Sequence, residues 1–394
     1  MTADTRSTDA GPLAGTLVID LTRVLSGPYC TMMLADLGAR VIKVERPEVG
    51  DDARHIGPFT DQGSAYFESI NRGKESIELD LSDADDRAFF DQLLDAADVV
   101  VENFRPGAFD RLGYDWETLH RRWPSLILAS VSGFGHSGPL KEQPAYDMIV
   151  QAMGGVMSIT GEPGGNPTRV GTSIGDICAG MFTATSIIAA LHQRTSTGIG
   201  ARVDVAMLDA QVALLENAIA RYTTSGVVPG PIGSRHPSIT PFGAFATKEG
   251  SVVIAAGNDG LFATLAEAIG APELAADPRF ATNDDRCTNE PLLRPLIEQA
   301  LASAPATEWV ERLSAAGLPT SLVHNVEQVL HHPQTVARNM ALVIDGTDGQ
   351  LVAGNPMKIS TLAERSVAPR SPVLGQHGEA IRAEFAPTEE PTAG

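Results

Sequence analysis

TLVIDLTRVLSGPYCTMMLADLGARVIKVE, residues 16–45, sets two short apolar runs on either side of a helical one. TLVIDL (16–21) has the near-continuous apolar character of a buried strand. YCTMMLADLG (29–38) reads as a helix that stops at Gly38, a residue that accepts the left-handed turn closing many helices. RVIKVE (40–45) is the next strand. Strand, helix and strand in so short a stretch form one βαβ unit, and that unit makes its two strands parallel.

The alternation continues outward. SIELDL (76–81) alternates strictly. SDADDRAFFDQLLDAA (82–97) opens with a serine and an acidic first turn and carries Phe89, Phe90, Leu93 and Leu94 at helical spacing. DVVVENF (98–104) and LILASVSGFG (126–135) are further strands. The expected fold class is α/β, with a mainly parallel sheet, helices on both faces, and ligands beyond the carboxyl ends of the strands. A long buried helix is expected after Asp176, then a strand edge and another helix. The Gly-, Pro- and Ser-rich stretch 224–243 reads as a linker into a second unit, which opens with a hairpin over 243–257 turning at Glu249-Gly250. Helical patterns follow to about residue 316, and the chain then looks connective. The expected division is 13–223 for a large domain, 224–320 for the linker and a small domain, and 321–394 for a return segment; residues 1–12 read as a disordered tail.

Composition narrows the function. The 394-residue chain has a net charge of −20, which argues against nucleic-acid partners and against a basic membrane-surface role. No run was expected to reach the ~18 apolar residues of a membrane span. The N-terminal residues lack the apolar core of a signal peptide. Cys30, Cys178 and Cys287 lie far apart without metal spacing, so a reducing cytoplasm is expected. No H-E-x-x-H or histidine cluster points to a metal.

Several stretches could carry chemistry. GFGHSG (133–138) fits G-x-G-x-x-G after a strand, but Pro139 stands where a helix should open, so a plain loop competes with an NAD site there. Cys178 reads as a small buried hydrophobe rather than an activated thiolate. Arg23, Lys43 and Arg46, then Arg72 and Lys74, then Arg105 and Arg111, gather near strand ends; singly they are solvated charges, together they suit a phosphorylated ligand. Asp176, in GTSIGD ahead of an apolar helix, has two readings. It can cap the helix. It can also be a nucleophile, since small neighbours leave room for a carbonyl and nearby glycine N–H groups could hold an oxyanion.

DLTRVLSGPYCTMMLADLGARVIKVERPEVGDDAR, NRGKESIELDL, DVVVENFRPGAFDRLGYDWE, SVSGFGHSGP, YDMIVQAMGG and TGIGARVDVAMLDA, in that order, resemble the signatures of class III coenzyme A transferases over residues 13–383. That group includes formyl-CoA transferase and carnitine CoA-transferase, and α-methylacyl-CoA racemase is a relative. The resemblance implies a large Rossmann-like domain, a smaller α/β domain, and two chains interlocked as rings in a homodimer. It implies that CoA passes from an acyl-CoA donor to a carboxylic acid, with CoA as substrate and neither metal nor NAD. Asp176 falls on the family's catalytic aspartate, which forms an acyl anhydride and then an aspartyl-CoA thioester. Arg46 matches the arginine near adenine and phosphates, Asn103 and Phe104 the groove, and Arg111 a phosphate contact; Arg23, Lys74 and Arg105 are expected beside them. Tyr146 matches the tyrosine near the formyl-CoA transferase site and stands where racemases carry a histidine base. A phenol is a poor base at neutral pH, which favours transfer over racemisation. A CoA-binding protein without catalysis is a further alternative.

Leu25 stands where formyl-CoA transferase has a glutamine, and its tetraglycine loop has no clear counterpart, which counts against formate and oxalate. HPSITPFGAFATKEGSVVIAAGNDGLFATL (236–265) is similar to the branch of succinyl-CoA:hydroxymethylglutarate CoA-transferase. That likeness implies succinyl-CoA and a dicarboxylic or hydroxy acid, with Arg235 and His236 placed to meet a distal carboxylate.

Overall fold

A computed structural model describes residues 11–386. The described chain forms two compact units. The larger comprises the residues up to Val156, Arg169–Thr224 and those from His332 on; the smaller comprises Met157–Thr168 and Ser225–His331. The excursion at Met157–Thr168 falls inside the stretch that the sequence reading gave wholly to the large domain. The tail expected at 1–12 lies outside the described residues except for Gly11 and Pro12, and Gly11 is buried against the end of the first helix. Residues 387–394 of the expected return segment also lie outside.

The larger unit opens with β1 (Leu17–Asp20), α1 (Ser26–Asp36) and β2 (Arg40–Glu45), the βαβ unit expected from residues 16–45. A small hairpin, β3 (Phe59–Thr60) and β4 (Gly63–Ser64), leads into α2 (Ala65–Asn71). Then come β5 (Glu75–Glu78), α3 (Ala84–Ala96), β6 (Val99–Glu102), α4 (Ala108–Arg111), α5 (Trp116–Arg122) and β7 (Ile127–Ser132). They are followed by α6 (Asp147–Met153), α7 (Ile174–Thr197), β8 (Arg202–Ala206), α8 (Met207–Leu214) and α9 (Glu216–Ser225). Six strands pair in the order β5-β2-β1-β6-β7-β8, all parallel. In sheet numbering this is 3-2-1-4-5-6, the order of doubly wound α/β sheets, and the chain reverses direction between β1 and β6. That reversal opens a crevice beyond Asp20 and Glu102. One apolar cluster, with Ile19, Ile42, Phe90 and Val100, lies on one side of the sheet; another, with Val18, Val41, Leu34 and Ile187, lies on the other.

α1 begins at Ser26, three residues before the helix read from the sequence, because Gly27 and Pro28 occupy its uncapped first turn, where a missing N–H costs nothing. Asp83, not Ser82, caps α3, accepting the N–H groups of Asp85 and Asp86. α7 is 24 residues long and apolar enough, by length and composition, to cross a membrane, contrary to the reading that no run reaches that length. Polar residues at both its ends hid the helix from a count of consecutive apolar residues. Ala179, Ala184, Ile187 and Ala190 bury one face of it among the residues of α1, β7 and β8.

The smaller unit holds the expected hairpin, β9 (Phe242–Ala246) and β10 (Ser251–Ala255), with Gly250 at φ 77° in the turn. Its helices are α10 (Asp259–Ala268), α11 (Glu273–Ala276), α12 (Asn283–Thr288), α13 (Glu290–Leu301) and α14 (Ala306–Ala315). β11 (Thr320–Leu322) pairs antiparallel with β10, and α15 (Val326–Leu330) follows. The chain then returns to the larger unit through α16 (Pro333–Ala337), β12 (Ala341–Ile344), β13 (Leu351–Ala353), β14 (Val367–Ala368) and α17 (Gly378–Phe385). The stretch read as connective therefore carries regular structure.

Candidate active site

The crevice at the chain reversal is fastened by one side chain. Asn103, just past β6, accepts the Arg23 N–H on Oδ1 at 2.8 Å and donates Nδ2 to the Arg23 carbonyl at 2.7 Å. The loops after β1 and β6 are thereby fixed side by side. Arg23 lies over the Phe104 ring at 5.4 Å. Asp52 bridges the two arginines of this wall, 3.3 Å from Arg23 and 3.1 Å from Arg46.

Three hollows share these walls. An apolar one is lined by Leu21, Val44, Leu79, Leu81, Phe104 and Leu112, with Arg23 and Arg46 beside them. Arg23 and Phe104 also line a cleft of about 210 Å³ that runs past Ser26, Asn103, Ser132 and Tyr146 to Asp176. A third hollow meets the cleft at Arg105 and Pro106 and gathers Arg105, Arg111, Lys141 and Arg202, with His136 set deeper. Below it Glu102 is buried, and burial lifts its carboxyl to about 7 although the Phe104 N–H bonds it at 2.7 Å. The His136 Nε2 lies 3.7 Å from Glu102 Oε1.

Asp176 is the third residue of α7, not its cap. Ser173 occupies the cap position without a side-chain bond, and the Gly175 N–H is taken instead by Asp147 Oδ1 at 2.8 Å. The capping reading of Asp176 therefore fails, and its carboxylate lines the cleft. Burial first, then the charge of Asp147, lift its pKa to about 7 against a hydrogen bond from Ser26. The site thus offers a poorly solvated carboxylate in a cleft that Arg23 and Arg105 line together with Asp52, an arrangement suited to attack on a carbonyl carried by a long anionic ligand.

Arg23, Arg46, Asn103, Phe104, Arg105, Arg111, Tyr146 and Asp176 are brought together along these connected hollows. Lys74 is a correction: its ammonium is fully buried and donates to Asp20 at 3.0 Å, Pro28 at 3.1 Å, Thr31 at 2.8 Å and Asn71 at 2.8 Å, so it holds β1, α1 and α2 together and has no reach to a phosphate. Arg235 and His236 lie in the smaller unit, where the His236 ring packs on Phe242 at 5.4 Å. Ser26, Lys141, Arg202 and Asp147 were missed. Lys141 and Arg202 are isolated charges in sequence that only the fold sets beside Arg105. The stretch 133–138 is a loop with no helix until Asp147. Among the described residues no group of three His, Cys, Asp or Glu side chains is arranged to hold a metal.

Residues 13–378 match the sequence profile of CoA-transferase family III. The chain belongs to this family. The transferase is 48% identical to the acetyl-CoA:oxalate CoA-transferase of Acetobacter aceti, over 99% of this chain and 100% of that protein. It is 41% identical to the succinyl-CoA:mesaconate CoA-transferase of Haloarcula hispanica, over 93% and 94% of the two chains. Among solved structures, a CAIB/BAIF family protein from Brucella suis superposes with a TM-score of 0.84 at 39% identity, covering 95% of this chain and 100% of that one. The family expected from the motifs is thus established, and with it CoA-transferase activity and the mixed α/β fold with its parallel sheet.

Proposed function

We propose that this transferase moves CoA from a short acyl-CoA, acetyl-CoA or succinyl-CoA, to a small dicarboxylic acid, with Asp176 as covalent nucleophile. The observation that carries the reading is that the Asp176 carboxylate does not cap α7 and lines the cleft. The relatives' names pair acetyl-CoA with oxalate and succinyl-CoA with mesaconate, and that supports the substrate class. The oxalate relative also removes the force of the argument that Leu25 tells against oxalate, which therefore belongs among the acceptors to be tried.

In this reading the nucleotide end of CoA lies in the apolar hollow beside Arg46, and its phosphates meet Arg23, Arg105, Arg111, Lys141 and Arg202. The pantetheine follows the cleft past Asn103 and Phe104. Asp176 attacks the thioester carbonyl, the C–S bond breaks, and CoA leaves as the thiolate. The thiolate then attacks the aspartyl carbonyl of the anhydride, frees the donor acid as its carboxylate, and leaves an aspartyl-CoA thioester. The acceptor carboxylate attacks that thioester, CoA departs again, and its return to the acceptor's acyl carbon restores Asp176. Each step exchanges one acyl bond and passes one negative charge between carboxylate and sulfur, so no outside base is required.

Two chains are proposed to act together. α9 buries none of its residues, and Met181, Phe182 and Ile188 on α7 are exposed, apolar surface of the kind a second copy covers. The interlocked homodimer that the motif resemblance implies would cover it. Three free cysteines, Cys30, Cys178 and Cys287, suit a reducing cytoplasm.

The test is a trap. Enzyme mixed with succinyl-CoA or acetyl-CoA and quenched with hydroxylamine should carry a hydroxamate on the peptide with Asp176, and Asp176→Ala should carry none and lose turnover by at least ~10³-fold. Tight acyl-CoA binding with no adduct, and turnover retained in Asp176→Ala, would refute the reading. Exchange of the α-proton in deuterated water would instead favour racemisation.

A further inference from the structure

Asp147 is buried, 7% exposed, beside the exposed Tyr146, and the reaction described above gives it no part. Its Oδ1 accepts the Gly175 N–H at 2.8 Å, and its Oδ2 accepts Gln151 Nε2 at 2.7 Å. Gln151, one turn further along α6 and fully buried, accepts the Val170 N–H at 2.8 Å on Oε1. One turn of α6 therefore grips the approach to α7 at both ends. Gly175 allows no slack: a Cβ there would stand 2.7 Å from Val150 Cγ2 and 3.1 Å from Asp147 Oδ1.

A first helical turn usually takes its acceptor from the residue at its own N-cap. Here a charged carboxylate from α6 serves, and it stands against the residue adjacent to Asp176. Two negative charges so placed repel, more strongly in a partly buried site than in water. Other groups also face Asp176. Ser26 on α1 hydrogen-bonds it, and Tyr66 on α2 feels its charge. Tyr146, Arg23, Asp52 and Arg105 line the same cleft. Asp147 alone among them is bonded to the neighbouring backbone. Arg169 Nη2 lies 3.7 Å from Asp147 Oδ2 and partly offsets it.

We propose that Asp147 is a positioning residue of the transfer reaction, holding Asp176 at the cleft and favouring its acylation by like-charge repulsion. The inference rests on the nucleophile reading above. When an Asp176 oxygen bonds to the acyl carbon, the C–S electron pair leaves with CoA, so the negative charge moves from the carboxylate to the departing sulfur. The anhydride and the thioester are neutral at Asp176, and the repulsion present in the resting enzyme is absent from both. Asp147 touches no reacting atom.

The experiment compares the unaltered enzyme, Asp147→Asn and Arg169→Gln by two readouts: the pH profile of kcat/KM, and the fraction of Asp176 trapped by hydroxylamine with succinyl-CoA or acetyl-CoA. Asp147→Asn keeps an acceptor for Gly175 but removes the charge. It should move the acid limb down by roughly one pH unit and lower the trapped fraction several-fold. Arg169→Gln, on a partly exposed side chain, strips away the offsetting cation and should move the limb up. A purely structural role would lower kcat without moving either limb. Limbs unmoved in both variants, with the adduct intact in the unaltered enzyme, overturn the proposal. Should Asp147→Asn not fold, the direction of the Arg169→Gln limb decides alone. Absence of the adduct in the unaltered enzyme overturns the nucleophile reading, and this proposal with it.

Discussion

At the scale of the residue, the proposed role of Asp176 as nucleophile comes at the expense of stability. Burial first, then the charge of Asp147, lift its pKa to about 7 in the folded protein from the ordinary 3.8 of an aspartate. The folded state therefore holds this proton more tightly than the unfolded chain, and the charged form opposes folding. The penalty is absent below pH 4, grows as pH rises toward 7, and is complete above it. Asp176→Asn should then be more stable than the unaltered enzyme above pH 7, by about 1–2 kcal/mol once partial exposure is allowed for, and equal to it near pH 4. Thermal melts at the two pH values check this; equal melts at both would mean that the carboxylate is not strained. Activity should run the other way, kcat/KM falling about tenfold per pH unit below 7 as the nucleophile is protonated.

This residue also marks how far sequence reading reaches. Small neighbours and the family's motif order led to Asp176, but its not being the cap of α7 goes with one hydrogen bond spanning 28 residues, from Gly175 to Asp147. Local patterning carries no trace of such a contact. Lys74 failed for the converse reason. A lysine near a strand end looks solvated until the fold surrounds it with four acceptors. With Lys43 it holds Asp20 down at about 2, overcoming the burial that would raise it.

At the scale of the element, the site depends on how closely α1 and α7 approach. A Cβ on Gly180 would stand 2.6 Å from the Ser26 carbonyl, and Ser26 hydrogen-bonds Asp176. Gly180→Ala should therefore cost about 1–3 kcal/mol, read by urea unfolding, and lower kcat more than it changes KM for acyl-CoA. A stability loss with unchanged kcat would show that Ser26 does not transmit the strain. The strands and most helices were legible because each has its own pattern: β1 opens on the apolar run Leu17, Val18 and Ile19, and α3 spaces Phe89, Phe90, Leu93 and Leu94 for one face. Helix starts were less so, since Gly27 and Pro28 look like loop until their place in a first turn is known.

At the scale of the molecule, alternation predicted a parallel sheet, but strand order is a matter of long-range packing that no window of sequence contains. The division of the chain was harder still. Nothing in Met157–Thr168 announces that these residues leave the larger unit. The return segment is held by specific contacts. Arg40 pairs with Glu384 at 2.5 Å and Arg382 with Asp86 at 2.7 Å, Ser371 bonds Glu68, and His377 exchanges two bonds with Ser76 beside β5. Deleting residues 370–386 should abolish the cooperative unfolding transition of the larger unit, as followed by circular dichroism. A truncated chain that still melts cooperatively and binds CoA would show the segment to be dispensable.

These contacts bear on the order in which the protein can be made. The ribosome emits β1 early and α17 more than 350 residues later, after the whole of the smaller unit has emerged. The smaller unit is nearly continuous in sequence and can fold while synthesis proceeds, whereas the six-stranded sheet waits with the β5 side unfinished. A nascent chain stalled before residue 370 would display an incomplete sheet. It is during translation, rather than after it, that this enzyme is most exposed to chaperones and proteases.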